Sequence, residues 1–272
     1  MSDALRLQAL TLPVGELAPV DKFYRWALAM KPAEEAGDAA RALGWGHEDR
    51  LRLVDAAADP DAEEGVTLRL STRPLEGLVD WLAERGLSPA SARVPPEDAD
   101  AARAAWPGAD VFVLDDDVEA NRLLVSVRGP DEPRLDLFAP LPKETLVARK
   151  RMGPFTWKTK DWKGLEVPGL LGVELGSPEP GRLTDFLESV GLEPGPGEEP
   201  DAPLAAGDHQ VRIAEREPAG IYGLAVVVGE SRVKDIARTL ETLEAEYRHE
   251  KNRILAADPA GRVLLVHGVH GR

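Results

Sequence analysis

LQALTLPVGELAPVDKFYRWALAM, residues 7–30, sets a strand-like run directly before a helical stripe. Residues 7–14 read as a strand. Val20, Phe23, Tyr24 and Ala27 then fall at i, i+3, i+4 and i+7, the spacing with which a helix covers a sheet. The same pairing returns three times. GVTLRLS (65–71) precedes Leu75, Leu78, Val79 and Leu82; LLGVELGS (170–177) precedes Leu183, Phe186, Leu187 and Val190; YGLAVVVG (222–229) precedes Val233, Ile236, Ala237 and Leu240. Short strand-like runs follow each helix, so one β-α-β-β-β plan is stated four times. A repeated plan fixes an architecture that no single segment establishes.

Turn and composition signals divide the 272 residues into a first domain, 1–140, a linker, 141–167, and a second domain, 168–272. The first unit is predicted as strand 5–14, helix 18–30 and strands near 40–46 and 50–56. The second is predicted as strand 65–71, helix 74–86 and strands near 109–115, 122–128 and 134–138. Within the second unit, after its helix, PPEDADAARAAWPG (95–108) reads as an insertion with a short helix, and its Trp106 either anchors the insertion or lies over a cleft. The linker has no apolar period, and its Trp157 and Trp162 are expected to pin it to a domain.

Composition narrows the function. Hydrophobic residues make up 43% and charged residues 30%, enough for a packed core, and the formal net charge is −15. An acidic chain gives a nucleic-acid partner little electrostatic support, and the one dense basic run, ARKRM (148–152), falls in the linker. With no cysteine, disulfides, thiolate metal sites and cysteine nucleophiles are excluded. No signal peptide and no apolar run of membrane-spanning length is read, so the expectation is a soluble, cytoplasmic protein without a membrane partner. Phosphate-loop, dinucleotide and serine-hydrolase motifs are missing as well.

The local text carries a resemblance. TLPV…DKFYRWALAM (11–30) is similar to the opening strand and helix of the vicinal oxygen chelate superfamily, which holds glyoxalase I, bleomycin-resistance proteins and extradiol dioxygenases. GRLTDFLESVGLEP (181–194) resembles the same helix with its glycine stop, and GPDEPRLDLF (129–138) and DPAGRVLLV (258–266) both resemble the closing hairpin and strand. The resemblance implies an α+β fold of tandem, paired βαβββ modules, with curved mixed sheets and helices on the convex faces. It also implies that two complete pairs make a self-sufficient monomer, although units in this superfamily also pair between chains, leaving monomer or homodimer open.

Active members of that superfamily hold a divalent metal with a His or Gln on the first strand, a His on the first strand of the second unit and a Glu on the last strand. Carried across, the resemblance places Ala9, Thr67 and Asp136 at these positions in the first domain, and Gly172, Gly223 and Leu265 in the second. Only Asp136 is a good ligand, and no histidine (His47, His209, His249, His267 or His270) falls on a ligand position. A one-residue shift would bring in Gln8, but on the helix side of its strand. The standard glyoxalase or extradiol dioxygenase reaction is therefore not expected, and no cofactor is predicted.

Strand alternation assigns the remaining cleft residues. Leu10, Leu12, Leu68, Leu70, Leu135 and Leu137 should meet the helices. The other face carries Ala9, Thr11, Thr67, Arg69, Arg134 and Asp136. Two arginines beside one aspartate either form a satisfied ion network or offer donors to an anionic ligand. In the second domain the cleft side reads Gly172, Glu174, Gly176, Gly223, Ala225, Val227, Val263, Leu265 and His267; the glycines leave room on an apolar floor, and Glu174 and His267 are an acid–base pair only if their strands bring them together. Trp45, beside His47, is either a stacking platform at the cleft mouth or a hairpin packing element. Three functions follow. The first is a bleomycin-resistance-like protein without the usual metal ligands, binding a small molecule, with an anion as one option, through Thr67, Arg69, Arg134, Asp136, Trp45, Glu174 or His267. The second is a lyase or dioxygenase using Fe, Mn, Ni or Zn in a non-standard ligand set around Asp136. The third is a non-catalytic structural or interaction module.

Overall fold

The computed structural model describes residues 5–32, 39–45, 49–71, 73–114, 122–128, 134–140, 169–195 and 203–269. The linker 141–167 with Trp157, Trp162 and the 148–152 basic run, together with His47 and His270, lies outside the described residues. The first half contains β1 (Arg6–Val14), α1 (Leu17–Ala27), β2 (Lys31–Pro32), β3 (Ala40–Gly44), β4 (Asp49–Asp55), β5 (Gly65–Arg69), α2 (Leu75–Glu84), β6 (Ser91–Val94), α3 (Ala99–Ala105), β7 (Asp110–Val113), β8 (Arg122–Val127) and β9 (Arg134–Pro140). The second contains β10 (Gly169–Ser177), α4 (Pro180–Val190), β11 (Glu193–Pro194), β12 (Leu204–Ala206), β13 (His209–Glu215), β14 (Gly220–Gly229), α5 (Glu230–Thr242), β15 (Tyr247–Glu250), β16 (Arg253–Ala257) and β17 (Val263–Val269).

Each half forms one open, curved mixed sheet, ordered β2-β3-β4-β1-β5-β9-β8-β6-β7 and β11-β12-β13-β10-β14-β17-β16-β15. The antiparallel pairs β1–β5 and β10–β14 are where two βαβββ units meet, so the fold is α+β as the repeats require. The helical stripes are the buried ones. Val20, Phe23, Tyr24 and Ala27 are buried on α1, and Val233, Ile236, Ala237 and Leu240 on α5. On α2 and α4, Leu75, Leu78, Leu82, Leu183, Leu187 and Val190 are buried, while Val79 and Phe186 pack partly buried at the core's margin. α4 stops at Gly191 (φ 109°), whose left-handed backbone lets the Gly191 and Leu192 amides reach back to the Leu187 carbonyl. Among the described residues no helix is long and apolar enough to cross a membrane.

One unit departs from the expected plan. Its second strand is β6, at residues 91–94, rather than the run at 109–115. The latter forms β7, an added edge strand lying parallel to β6 and reached through α3. The insertion is thus a β-α-β crossover. Trp106 is buried at its end and anchors it to the core. β6 is only four residues long, and Ser91 and Arg93 alternate with Ala92 and Val94, too brief a pattern to separate from a turn.

The apolar faces of both halves belong to one continuous buried cluster. α1 packs against α5, and Leu183, Phe186 and Leu187 of α4 face Val66, Leu68 and Leu135 across the seam. Polar groups lock it. The fully buried Tyr24 donates its hydroxyl to Asp258 Oδ2 (2.8 Å), while Asp258 Oδ1 accepts the Ala260 and Arg262 amides at 2.9 and 2.8 Å. Arg262 then donates to the Pro13 carbonyl (3.0 Å) and to Glu64 Oε1 (2.6 Å), and Glu64 Oε2 accepts the Ile221 amide.

Burial, and then the neighbouring Asp258, push the Tyr24 hydroxyl pKa well above its ordinary value. The neutral phenol is therefore the folded form's species, and its stabilisation is complete below about pH 10 and lost as pH rises beyond it. Tyr24→Phe removes the donor and leaves Asp258 Oδ2 buried without it. We expect urea unfolding at neutral pH to show a loss of about 1.5–3 kcal/mol, and a shallower fall in stability above about pH 10 than in the wild type.

Candidate functional site

On the concave face of the first sheet, ladder register places Ala9 beside Thr67, Thr67 beside Asp136, and Asp136 beside Ser126, so four strands contribute one row. One row along, Thr11, Gly65 and Arg134 align. On the other side Arg69 aligns with Phe138. The helix-side neighbours Leu10, Leu68, Leu135 and Leu137 are all buried, which fixes the other parity toward the cleft.

Asp136 is only 3% exposed. Its Oδ1 accepts the Ser126 hydroxyl at 2.5 Å and its Oδ2 accepts Arg134 Nη2 at 3.0 Å. The Arg134 guanidinium lies over Gly65, where the missing side chain keeps the floor low. Its Nε is buried and finds no partner among the described residues. Arg69 stands differently from the sequence expectation: its guanidinium lies 5.8 Å from the centre of the Phe138 ring and makes further contacts, and Arg134 alone of the two has an ion pair with Asp136 among the described residues. Ser126 was missed because nothing in its own strand marks it. Only the cross-strand register shows that it faces Asp136.

The other candidates lie elsewhere. Trp45 donates its indole N–H to the Leu28 carbonyl at the end of α1 (2.8 Å) and packs on the core, so it is a packing element on the helix side rather than a platform at the cleft. Glu174 and His267 are not partners. Glu174 aligns with Gly223 and thence Val263, four residues along β17 from His267, a separation of roughly 13 Å. Glu174 instead pairs with Arg216 (2.9 Å), and His267 Nδ1 accepts from Arg253 Nε (3.2 Å). His209 Nδ1 lies 2.7 Å from the Leu170 carbonyl; burial lowers its pKa, and the nearby Arg50 and Arg6 add to this, so the neutral ring donates there.

The second concave face is more closed than its glycines suggest. A side chain on Gly176 would overlap the Tyr222 ring and approach Arg216 Cβ at 2.9 Å, and one on Gly172 would overlap the Gln210 carbonyl oxygen. Tyr222, held by its hydroxyl on the Pro218 carbonyl (2.6 Å) with the Arg216 guanidinium 5.0 Å from its ring centre, fills space that the sequence left open. Register also corrects the inferred ligand row: Gly172 aligns with Ala225 and Leu265, not with Gly223.

These residues do not fit the metal that the superfamily resemblance implies. In the first half the row offers an alanine, a threonine and one carboxylate, with both carboxylate oxygens engaged and a guanidinium beside it that repels a divalent cation. In the second half the row offers no ligating side chain. Among the described residues no three His, Asp or Glu side chains converge. The close approach of β13 makes a steric prediction. Gly172→Ala and Gly172→His should each lose about 1–3 kcal/mol of stability in urea unfolding, because the obstructing atom is backbone.

No family profile matches the sequence, and comparison with curated proteins finds no relative. Solved structures do match. A catechol 2,3-dioxygenase superposes with a TM-score of 0.65 at 16% identity, over 100% of this chain and 90% of its own. The Mn(II)-bound glyoxalase from Novosphingobium aromaticivorans gives 0.64 at 14% identity, over 98% and 83%. The 2,3-dioxygenase LapB from Pseudomonas sp. KL28 gives 0.64 at 15% identity, over 100% and 95%. Identities this low speak for the fold alone. The chain has the vicinal oxygen chelate fold, in its tandem glyoxalase- and dioxygenase-like form, over its whole length.

Proposed function

We propose that the protein binds a small anionic molecule, without a metal, on the concave face of its first half. The observation that carries this reading is Arg134. One guanidinium nitrogen is spent on Asp136, while Nε is buried and lacks an acceptor among the described residues. The Arg134 side chain is 30% exposed, so the edge of the guanidinium not spent on Asp136 is open to an acceptor from a ligand. Thr67 lies one strand away from Asp136, and Arg69 stands in the next row. Guanidinium forks suit carboxylate and phosphate groups, and a fixed positive charge in a chain of net charge −15 favours an anion locally even though the whole surface does not. The mode of action is sequestration, as in the bleomycin-resistance type, rather than metal-assisted chemistry.

Calorimetric titration with benzoate, malonate and inorganic phosphate tests it. We expect at least one to bind saturably, and Arg69→Ala and Arg134→Lys each to weaken that binding roughly tenfold or more. The lysine variant keeps a positive charge near Asp136 so that folding is preserved. Undiminished binding by both variants would rule this cleft out.

A further inference from the structure

The added strand β7 extends the concave floor beyond the two-unit plan, and what it adds is aromatic. Register across five strands aligns Arg69 (β5), Phe138 (β9), Leu124 (β8), Arg93 (β6) and Phe112 (β7) in a single row. All five share the cleft face, because the alternate residues Ala92, Val94, Val125 and Leu137 are buried and Val111 packs on the core. Phe112 is 55% exposed, and Arg93 beside it is exposed as well. Asp110 is the acidic neighbour, aligned with Ser91 in the row that runs through Ser126 and Asp136.

An exposed phenylalanine on an edge strand is a liability for solubility and pairing unless something covers it. Here it closes a track of ring, aliphatic and ring surfaces, with guanidinium groups set between and before them. Strand spacing puts Phe138 roughly 14 Å from Phe112; the Arg134 backbone lies about 13 Å along β9 from Phe138, and its guanidinium reaches back to Asp136, about 7 Å from Phe138. Flat guanidinium groups stack on aromatic faces, as Arg69 already does on Phe138.

We infer that this row makes the site selective for an extended, flat aromatic acid. The acid group meets Arg134 and Arg69, the ring system runs over Phe138 and Leu124, and its far end reaches Arg93 and Phe112. The inference rests on the anion-binding reading above and adds to it the class of molecule.

The test compares anthracene-2-carboxylate with benzoate, which carries the same acid group but is too short to reach β7. Fluorescence titration of the first and calorimetry of both would be run on the wild type, Phe112→Ala, Arg93→Ala and Arg134→Lys. Both alanine sites are exposed, so neither variant threatens the fold. The expected result is anthracene-2-carboxylate binding roughly tenfold or more tighter than benzoate, an advantage lost in Phe112→Ala and in Arg93→Ala while benzoate affinity stays unchanged. Arg134→Lys should weaken both. Equal affinity of the two acids, or an advantage that survives Phe112→Ala, overturns the aromatic selectivity while an Arg134→Lys effect on benzoate keeps the anion site. Failure of both acids to bind overturns the inference, and with malonate and phosphate also inert it overturns the anion-binding reading.

Discussion

The buried node at Asp258 holds the two halves in register. It takes the Tyr24 hydroxyl from α1 and two amides of its own turn, and it thereby presents Arg262 to Pro13 and Glu64 in the other half. Without that node the helix-covered faces would meet mainly through apolar contacts, which are strong but non-directional, and the Ile221 amide on Glu64. With it, α1 is seated against α5 and one core serves both sheets. The concave faces are then the surfaces left for binding. Their character is set by residues that owe nothing to the core.

Those residues differ sharply between the halves. In the first, Asp136 keeps a carboxylate at the row where the superfamily resemblance places a metal ligand, yet Ser126 and Arg134 have taken both of its oxygens. A guanidinium supplies positive charge and directed donors, but it has no open coordination position and cannot act as a Lewis acid. On the reading proposed above, such a floor recognises an anion. In the second half, the Glu174–Arg216–Tyr222 cluster and the close approach of β13 to Gly172 fill the corresponding space. The division of labour is thus steric as much as chemical: one concave face carries a low floor at Gly65, and the other is packed.

Much of the architecture was legible in the chain because helical periodicity is dense: four stripes of four residues, all falling in or against the core. Strand parity was legible too, since Leu10, Leu68 and Leu135 mark the buried side without ambiguity. Parity says which face a residue takes, but not which residue stands opposite. For that reason Ser126 went unnoticed, Arg69 was paired with Asp136 when it stacks on Phe138, and Glu174 and His267 were candidates for a contact that roughly 13 Å of strand forbids. The glycines at 172 and 176 misled for a related reason. A glycine marks either room or close approach, and only the neighbours crossing it decide which. β6 was too short to carry a pattern, so its place was given to β7.

We propose that Arg134 stands in place of a metal at the Asp136 row. Elemental analysis of the full-length protein, purified without chelators or an affinity metal column, tests this most directly. The structure predicts iron, manganese, nickel and zinc far below one equivalent per chain, with none retained after adding each ion and desalting. Near-stoichiometric metal, displaced by Asp136→Asn, would contradict it and make a ligand set around Asp136 the centre of the protein's chemistry.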